Sequence, residues 1–240
     1  MPTRTRSTRH TAAVPIKERL SRERIVEAAL VIMDTEGLDA VSMRRVAREV
    51  GVEAMSLYHH VRDKEDLLDG VCARVMGDFR FPPEDRPWIE VARDGAREWR
   101  RVLREHPNVI ALWADRRRPM TDLDALMPME FALRVISRSG MDARDGVRVF
   151  NVIGGFIMGV VMMEVGAMFS AGAAPKMKAP DLAAVHAKMP DDDARFLPLE
   201  RLPFLVEALP HLAECDPDEQ FEYGLDLLLA GIEARANGRG

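Results

Sequence analysis

The stretch from Val50 to Leu68, VGVEAMSLYHHVRDKEDLL, gathers Ser56, Tyr58, His60 and Lys64. Hydroxyl and imidazole groups that donate hydrogen bonds, together with a lysine charge, suit the sugar-phosphate backbone of a nucleic acid. Metal binding is the competing chemistry for His59 and His60. Neighbouring side chains diverge on a helix and no third ligand is evident, so no metal is expected. Upstream, Arg44, Arg45 and Arg48 form either a solvated face or part of the same contact surface. The sequence holds no Glu-x-x-His pair, no His-Glu-x-x-His, no Gly-rich phosphate loop and no nucleophile–base constellation. Neither an enzyme nor a cofactor is therefore expected.

Those side chains need a frame, and the spacing of residues 42–61, SMRRVAREVGVEAMSLYHHV, is that of a helix-turn-helix. Ala47 is small where two helices would cross. Gly51, four residues later, can take the positive φ of a tight turn. Val46, Val50, Val52 and Leu57 supply buried positions, and flanking helices must complete the core. The first flank starts at Ser21 as cap, carries Ile25, Ala28, Ala29, Ile32 and Met33 inward, and stops at Gly37. Ser42 starts a second helix, a third runs from about Glu53 to His60, and Asp63 caps a fourth over 63–79. Beyond the FPPEDRP loop, helical patterns recur over 88–105, 107–114, 121–138, 143–170 and 217–236. An Ala/Pro/Asp-rich connection covers 171–200. With no strand pattern, the expected class is all-α. The expected domains are a flexible basic arm over 1–20, a helix-turn-helix unit over 21–66, and a larger helical body over 67–240.

Charge is segregated along the chain. Net charge is -5, yet residues 1–24 carry seven Arg or Lys against two Glu, while residues 71–240 carry 22 basic and 27 acidic side chains. A basic front on an acidic body suits a molecule that presents one end to a polyanion; a solvated basic tail fits as well. The opening MPTRTRSTRHTAAVP lacks the apolar run of a secretory signal, and Cys72 and Cys215 form no CxxC pair. Both features suggest free thiols and a cytoplasmic location. From Val149 to Met163 no residue is charged, but this run is shorter than the ~20 residues that a bilayer needs, so no membrane partner is expected.

The segment Arg24–Leu68 resembles the DNA-binding domain of the tetracycline-repressor (TetR) family. It shares the first-helix apolar stripe, EGLDAVSMRRVAREVGV, and SLYHHVRDKEDLL. A weaker likeness continues in GGFIMG (Gly154–Gly159) and DEQFEYGLDLLLAGIEAR, which resemble the dimer helices of the tetracycline-repressor subgroup. The resemblance implies contacts to double-stranded DNA from Ser42, Arg44, Ala54, Met55, Ser56, Tyr58, His60 and Lys64. Arg44 matches a position that reaches a base edge, where a bidentate bond to guanine gives roughly 1–3 kcal/mol of discrimination. Ala54 and Met55 have no hydrogen-bonding side chain and can read only a thymine methyl or exclude a bulkier base.

For the body, the resemblance implies a homodimer and an effector cavity. Gly155 and Gly159 permit close helix approach, and Phe221, Leu225, Leu228, Leu229 and Ile232 form an apolar stripe, so these seven residues are the expected dimer seam. Such a dimer sets two recognition helices about one DNA turn (~34–36 Å) apart, which calls for a near-palindromic operator. Trp99, Leu103, Trp113, Met127, Phe131, Phe150, Met158 and Met162 are large and apolar and suit either core or a cavity. Gly154, Asn151 and Glu130 join them as candidate ligand-binding residues, the last two as polar groups that could orient a ligand. Gly95, Trp99 and Trp113 stand at the positions that hold magnesium-tetracycline in tetracycline-binding members, with Trp113 replacing the metal-facing histidine. A more apolar, metal-free effector is expected. It should act by shifting the 63–79 helix and spreading the recognition helices. The alternatives are a helical adaptor with no DNA role and, more remotely, an all-α enzyme.

Overall fold

The computed structural model describes residues 19–114, 122–165, 201–213 and 216–238. The basic arm up to residue 18 and the 171–200 connection lie outside them. All ten helices among the described residues are α, with one 3-10 turn. The first, α1 (Arg22–Glu36), starts where the Ser21 hydroxyl accepts the Arg24 N–H at 3.3 Å. It buries Ile25, Val26, Ala29, Leu30, Ile32 and Met33. A 3-10 turn at Leu38–Ala40, not evident from the apolar spacing, leads to α2 (Met43–Val50). Ser42 caps α2 by accepting the Arg45 N–H at 3.2 Å, and Gly51 ends it in the left-handed region at φ 72°. A side chain there would be strained, which is why glycine makes this turn.

The third helix, α3 (Ala54–Leu57), is a single turn, shorter than the 53–60 span expected. It buries Leu57, and the N–H groups of His60 and Val61 close back onto the Leu57 carbonyl. Asp63 caps α4 (Lys64–Met76) by accepting the Asp66 N–H at 2.8 Å. Helix α1 packs on α2 and α2 on α3, while α4 lies along α1. On its other side, α4 packs against α6 (Asn108–Ala114) and α7 (Leu123–Ser137). One apolar core therefore runs from the helix-turn-helix into the body.

The body adds α5 (Trp88–Glu105), α8 (Ala143–Glu164), α9 (Pro203–Ala213) and α10 (Pro217–Asn237). Helices α5, α7, α8 and α10 pack on one another around Val91, Val102, Leu103, Phe131, Ile157 and Phe221. Gly224 of α10 is required at its crossing with α8, because a Cβ there would stand 2.6 Å from the Phe156 ring. Arg100 is held across the same junction. It donates from Nε to Glu164 at 3.1 Å, and its guanidinium lies 4.4 Å over Phe221. Helix α8 has 22 residues, longer than the uncharged run, and meets a membrane-spanning helix in length and composition alone. Its ends carry Arg144, Asp145, Arg148 and Glu164, and one face packs on α5, α7 and α10. Helix α9 was not expected. Its proline at the first position suits a helix start, while Pro210 interrupts the periodicity by which helices are read.

Candidate functional site

The short α2–α3 unit holds its expected contact residues on an outward face. Met55 is 73% exposed and Tyr58 47% exposed, while Ser42, Arg44 and Lys64 are also exposed. Ala54, Ser56 and His60 are half-buried beside them. Because the Ser42 hydroxyl accepts from the backbone, its own proton remains available to an acceptor such as a phosphate. Arg45 behaves differently from Arg44. It is bound by Glu36 on α1, with Nε at 3.2 Å, and by Glu49 at 2.6 Å, so it braces α2. The run of three arginines divides accordingly: one ties the unit together and Arg44 points outward.

An ion-pair clamp sets the angle at which this face is presented. The Asp66 carboxylate, only 12% exposed, accepts Arg22 Nη2 at 2.9 Å, Arg22 Nη1 at 3.1 Å and the Arg62 N–H at 2.7 Å. Arg22 Nη1 also donates to the His60 carbonyl at 3.2 Å. Three segments (the start of α1, the end of the recognition turn and the start of α4) are thereby fixed to one carboxylate. The hydrogen bonds from Arg22, acting against burial, hold the Asp66 pKa down at about 2. The residue was not singled out from the sequence, since an Asp in the first turn of a helix is ordinary.

Behind α4 lies a cavity of about 410 Å³ bounded by α4, α5, α6, α7 and α8. Trp99, Trp113, Phe131, Phe150, Asn151, Gly154 and Met158 line it, as does Gly95. Leu103, Met127 and Glu130 do not. Leu103 is wholly buried in the core and Glu130 is exposed on the outer side of α7. Met162 is packed against the core rather than the cavity. Trp99 and Trp113 stack at 5.4 Å with their planes 6° apart, giving the cavity a flat wall. Phe79 and Phe131 meet edge-tilted at 5.9 Å on another side. Met76 and Phe79, at the end of α4 and just after it, also face the cavity. Sequence spacing missed them because their stripe also serves the α1–α4 core. Among the described residues, Asn151 is the sole lining side chain with a hydrogen-bonding amide, and none that lines the cavity is charged. Among the described residues, no cluster of His, Cys, Asp or Glu converges in a way that could hold a metal.

Much of the expected seam packs inside the single chain. Phe221, Leu225, Leu229 and Ile232 are buried within one chain, and Leu228 is half-buried. An apolar stripe on a bundle helix marks the side facing its own core, and here that core is reached without a second copy. Gly155 and Gly159 have open space above them, and Gly155 also borders the cavity. The apolar side chains left outside include Val152 and Met163 on α8 and Tyr223 and Leu227 on α10, exposed by 51%, 69%, 65% and 61%.

Comparison with known proteins agrees with this two-part arrangement. Residues 25–71 match the family model for bacterial regulatory proteins of the tetR family, and residues 81–236 match the tetracyclin repressor-like C-terminal domain. The HTH-type transcriptional repressor DrrR1 of Streptomyces coeruleorubidus is 31% identical over 219 residues, covering 90% of this chain and 78% of that protein. The tetracycline repressor protein class D of Escherichia coli is 26% identical over 223 residues, covering 90% and 91%. Among solved structures, apo ActR from Streptomyces coelicolor is 28% identical, with a TM-score of 0.71, and covers 95% of this chain and 100% of that one. ActR in complex with actinorhodin gives the same identity and TM-score over 91% and 99%. This chain belongs to the TetR family, and is a ligand-responsive transcriptional regulator rather than an enzyme.

Proposed function

We propose that the chain is a homodimeric repressor that binds a near-palindromic operator in the cytoplasm and is released by a small, flat, uncharged effector. The observation that carries this reading is the position of α4. One end of it holds the clamp under the recognition turn, and its far end and the turn just after it supply Met76 and Phe79 to the cavity. An occupant that displaces those two side chains acts on the same rigid element that orients Tyr58, His60 and Lys64. A ligand shifts the balance only through unequal affinity for the two postures, and a cavity whose wall moves with posture provides that inequality.

On the DNA side, Ser42, Ser56, Tyr58, His60 and Lys64 hold the phosphate backbone, while Arg44 reads a base edge. Ala54 and Met55 contribute apolar contacts, which favours a thymine methyl at the centre of each half-site. On the body side, the second copy covers the outward face made by Val152, Gly155, Gly159, Met163, Tyr223 and Leu227. Little of α8 is buried in one chain although it is strongly apolar, and burial against a partner removes that exposure from water. The cavity favours an aromatic molecule stacked on the Trp99–Trp113 wall, with Asn151 meeting one polar atom. ActR, seen in complex with actinorhodin and with (S)-DNPA, supports a small organic effector, and the apolar lining that the described residues give, with Trp113 at the metal-facing position, argues against magnesium-tetracycline.

Selection of bound duplexes from a random library tests the reading. Enrichment of inverted repeats by the wild-type chain, lost on replacing Tyr58 and Lys64 with alanine while the helical circular-dichroism signal persists, is the expected result. No enrichment above random DNA at moderate salt would overturn it.

A further inference from the structure

The wall that α8 presents to the cavity has no side chain at its centre. Phe150, Asn151, Gly154, Ile157 and Met158 of α8 line the cavity. At about 100° per residue, Gly154 falls between Phe150 and Met158, in the middle of that arc. Phe150 lies one turn before it and Met158 one turn after it. Their Cα atoms therefore stand roughly 12 Å apart along the helix axis. Between them the wall is bare backbone.

Glycine inside a helix is unfavourable relative to alanine, so one at this place calls for a physical reason. Close packing is the usual one. Gly224 shows it, with the Phe156 ring 2.6 Å from where a Cβ would stand, and Gly95 on α5 shows it more mildly, with Phe131 at 3.3 Å. Around Gly154, apart from its chain neighbours and its own helix backbone, no atom lies within 4 Å of that position. A turn is not the reason either. Gly154 lies inside the 22-residue α8 and is not among the glycines with positive φ. Nor is the proposed dimer face, since Val152, Gly159 and Met163 fall on the far side of the helix from it. What the missing Cβ leaves is room in the cavity.

We propose that Gly154 determines the specificity of the cavity: its bare backbone is a slot, between Phe150 and Met158, that takes the edge of a flat effector of at least three fused rings. A two-ring molecule is held by the Trp99–Trp113 wall alone, whereas a wider one also reaches α8. A ring edge is thin and apolar, and the backbone carbonyls of a helix interior are already bonded within the helix, so the two surfaces match. A larger residue at 154 enters the cavity without pressing on a neighbour, so substitution there changes what is bound and leaves the fold in place. This inference rests on the reading of the cavity as an effector site.

The test uses the full-length chain and two flat, uncharged ketones, the three-ring fluorenone and the two-ring indanone, titrated by isothermal calorimetry. Gly154→Leu should bind fluorenone about tenfold more weakly than wild type does, and indanone within about twofold. Gly154→Ala should lose about threefold for fluorenone. Its Tm should equal or exceed that of wild type, because alanine favours the helix and meets no neighbour. Unchanged fluorenone affinity in the variants, or an equal loss of both ketones, would overturn the slot while leaving the effector site intact. A lower Tm for Gly154→Ala would mark a packing glycine and overturn it as well. If wild type binds neither ketone, the reading of the cavity as a site for flat, uncharged molecules falls, and the slot with it. Should Gly154→Leu fail to fold, the affinity and Tm of Gly154→Ala decide.

Discussion

Removing the charge of Asp66 offers a quantitative test of how the recognition turn is held. In the folded chain this carboxyl has a pKa of about 2, against 3.8 ordinarily. At ~1.4 kcal/mol per unit, that difference corresponds to about 2 kcal/mol of stability at neutral pH. Arg22 is 40% exposed, so solvent screens part of the pair, and about 1–2 kcal/mol is the better expectation for Asp66→Asn. For a chain of this size such a loss lowers Tm by roughly 2–8 °C. The sign follows from the depressed value. The stabilisation is fully present above the unfolded carboxyl's range near pH 4 and disappears as pH falls towards 2. Urea unfolding of wild type and Asp66→Asn at pH 7, 4 and 2.5 measures this directly. The gap should persist at pH 7, narrow below pH 4 and close near pH 2. A gap that is absent at pH 7, or as wide at pH 2.5 as at pH 7, would refute the clamp.

The other expectations concern packing, assembly and DNA. Gly224→Ala places a methyl 2.6 Å from the Phe156 ring and should cost about 1–3 kcal/mol in thermal or urea melts, partly restored by Phe156→Leu. An unchanged melt would mean that the α8–α10 crossing is loose. Leu227→Arg puts a charge on an exposed position of the proposed seam, so light scattering should show a folded single chain, whereas an intact dimer would exclude this face. Lys64→Ala should weaken binding of all duplexes alike and lower the slope of log affinity against log salt by about 1. A change confined to particular sequences would instead make Lys64 a base reader.

Much of the architecture is legible in local chemistry. Ser21, Ser42 and Asp63 each stand where a helix needs a side-chain acceptor, and Gly51 stands where only a left-handed turn closes α2 onto α3. Those rules act within a few residues, so one sequence displays them. The expected seam divides for a related reason: Phe221, Leu225, Leu229 and Ile232 pack inside one chain, while Gly155 and Gly159 keep open space above them. Periodicity in α10 reports the side packed on α5 and α8, and cannot tell a chain's own core from a partner's. Tyr223 and Leu227 stand exposed on the other side of that helix, where a reading by apolar stripe passes them over. The cavity was only half visible, because Trp99 and Trp113 attract notice by size while Met76 and Phe79 lie on a helix already assigned to another core. Asp66 lay beyond reach, since its partner Arg22 is 44 residues away and only the fold brings them together.

The claim on which the rest depends is that two chains act together on one duplex. Sedimentation of the purified chain, alone and with its enriched duplex, measures this most directly. We expect a dimer in the absence of DNA and two chains per duplex in the complex, on half-sites whose centres lie about one helical turn apart. A single chain that sediments as a monomer and binds one duplex with no inverted repeat would contradict it.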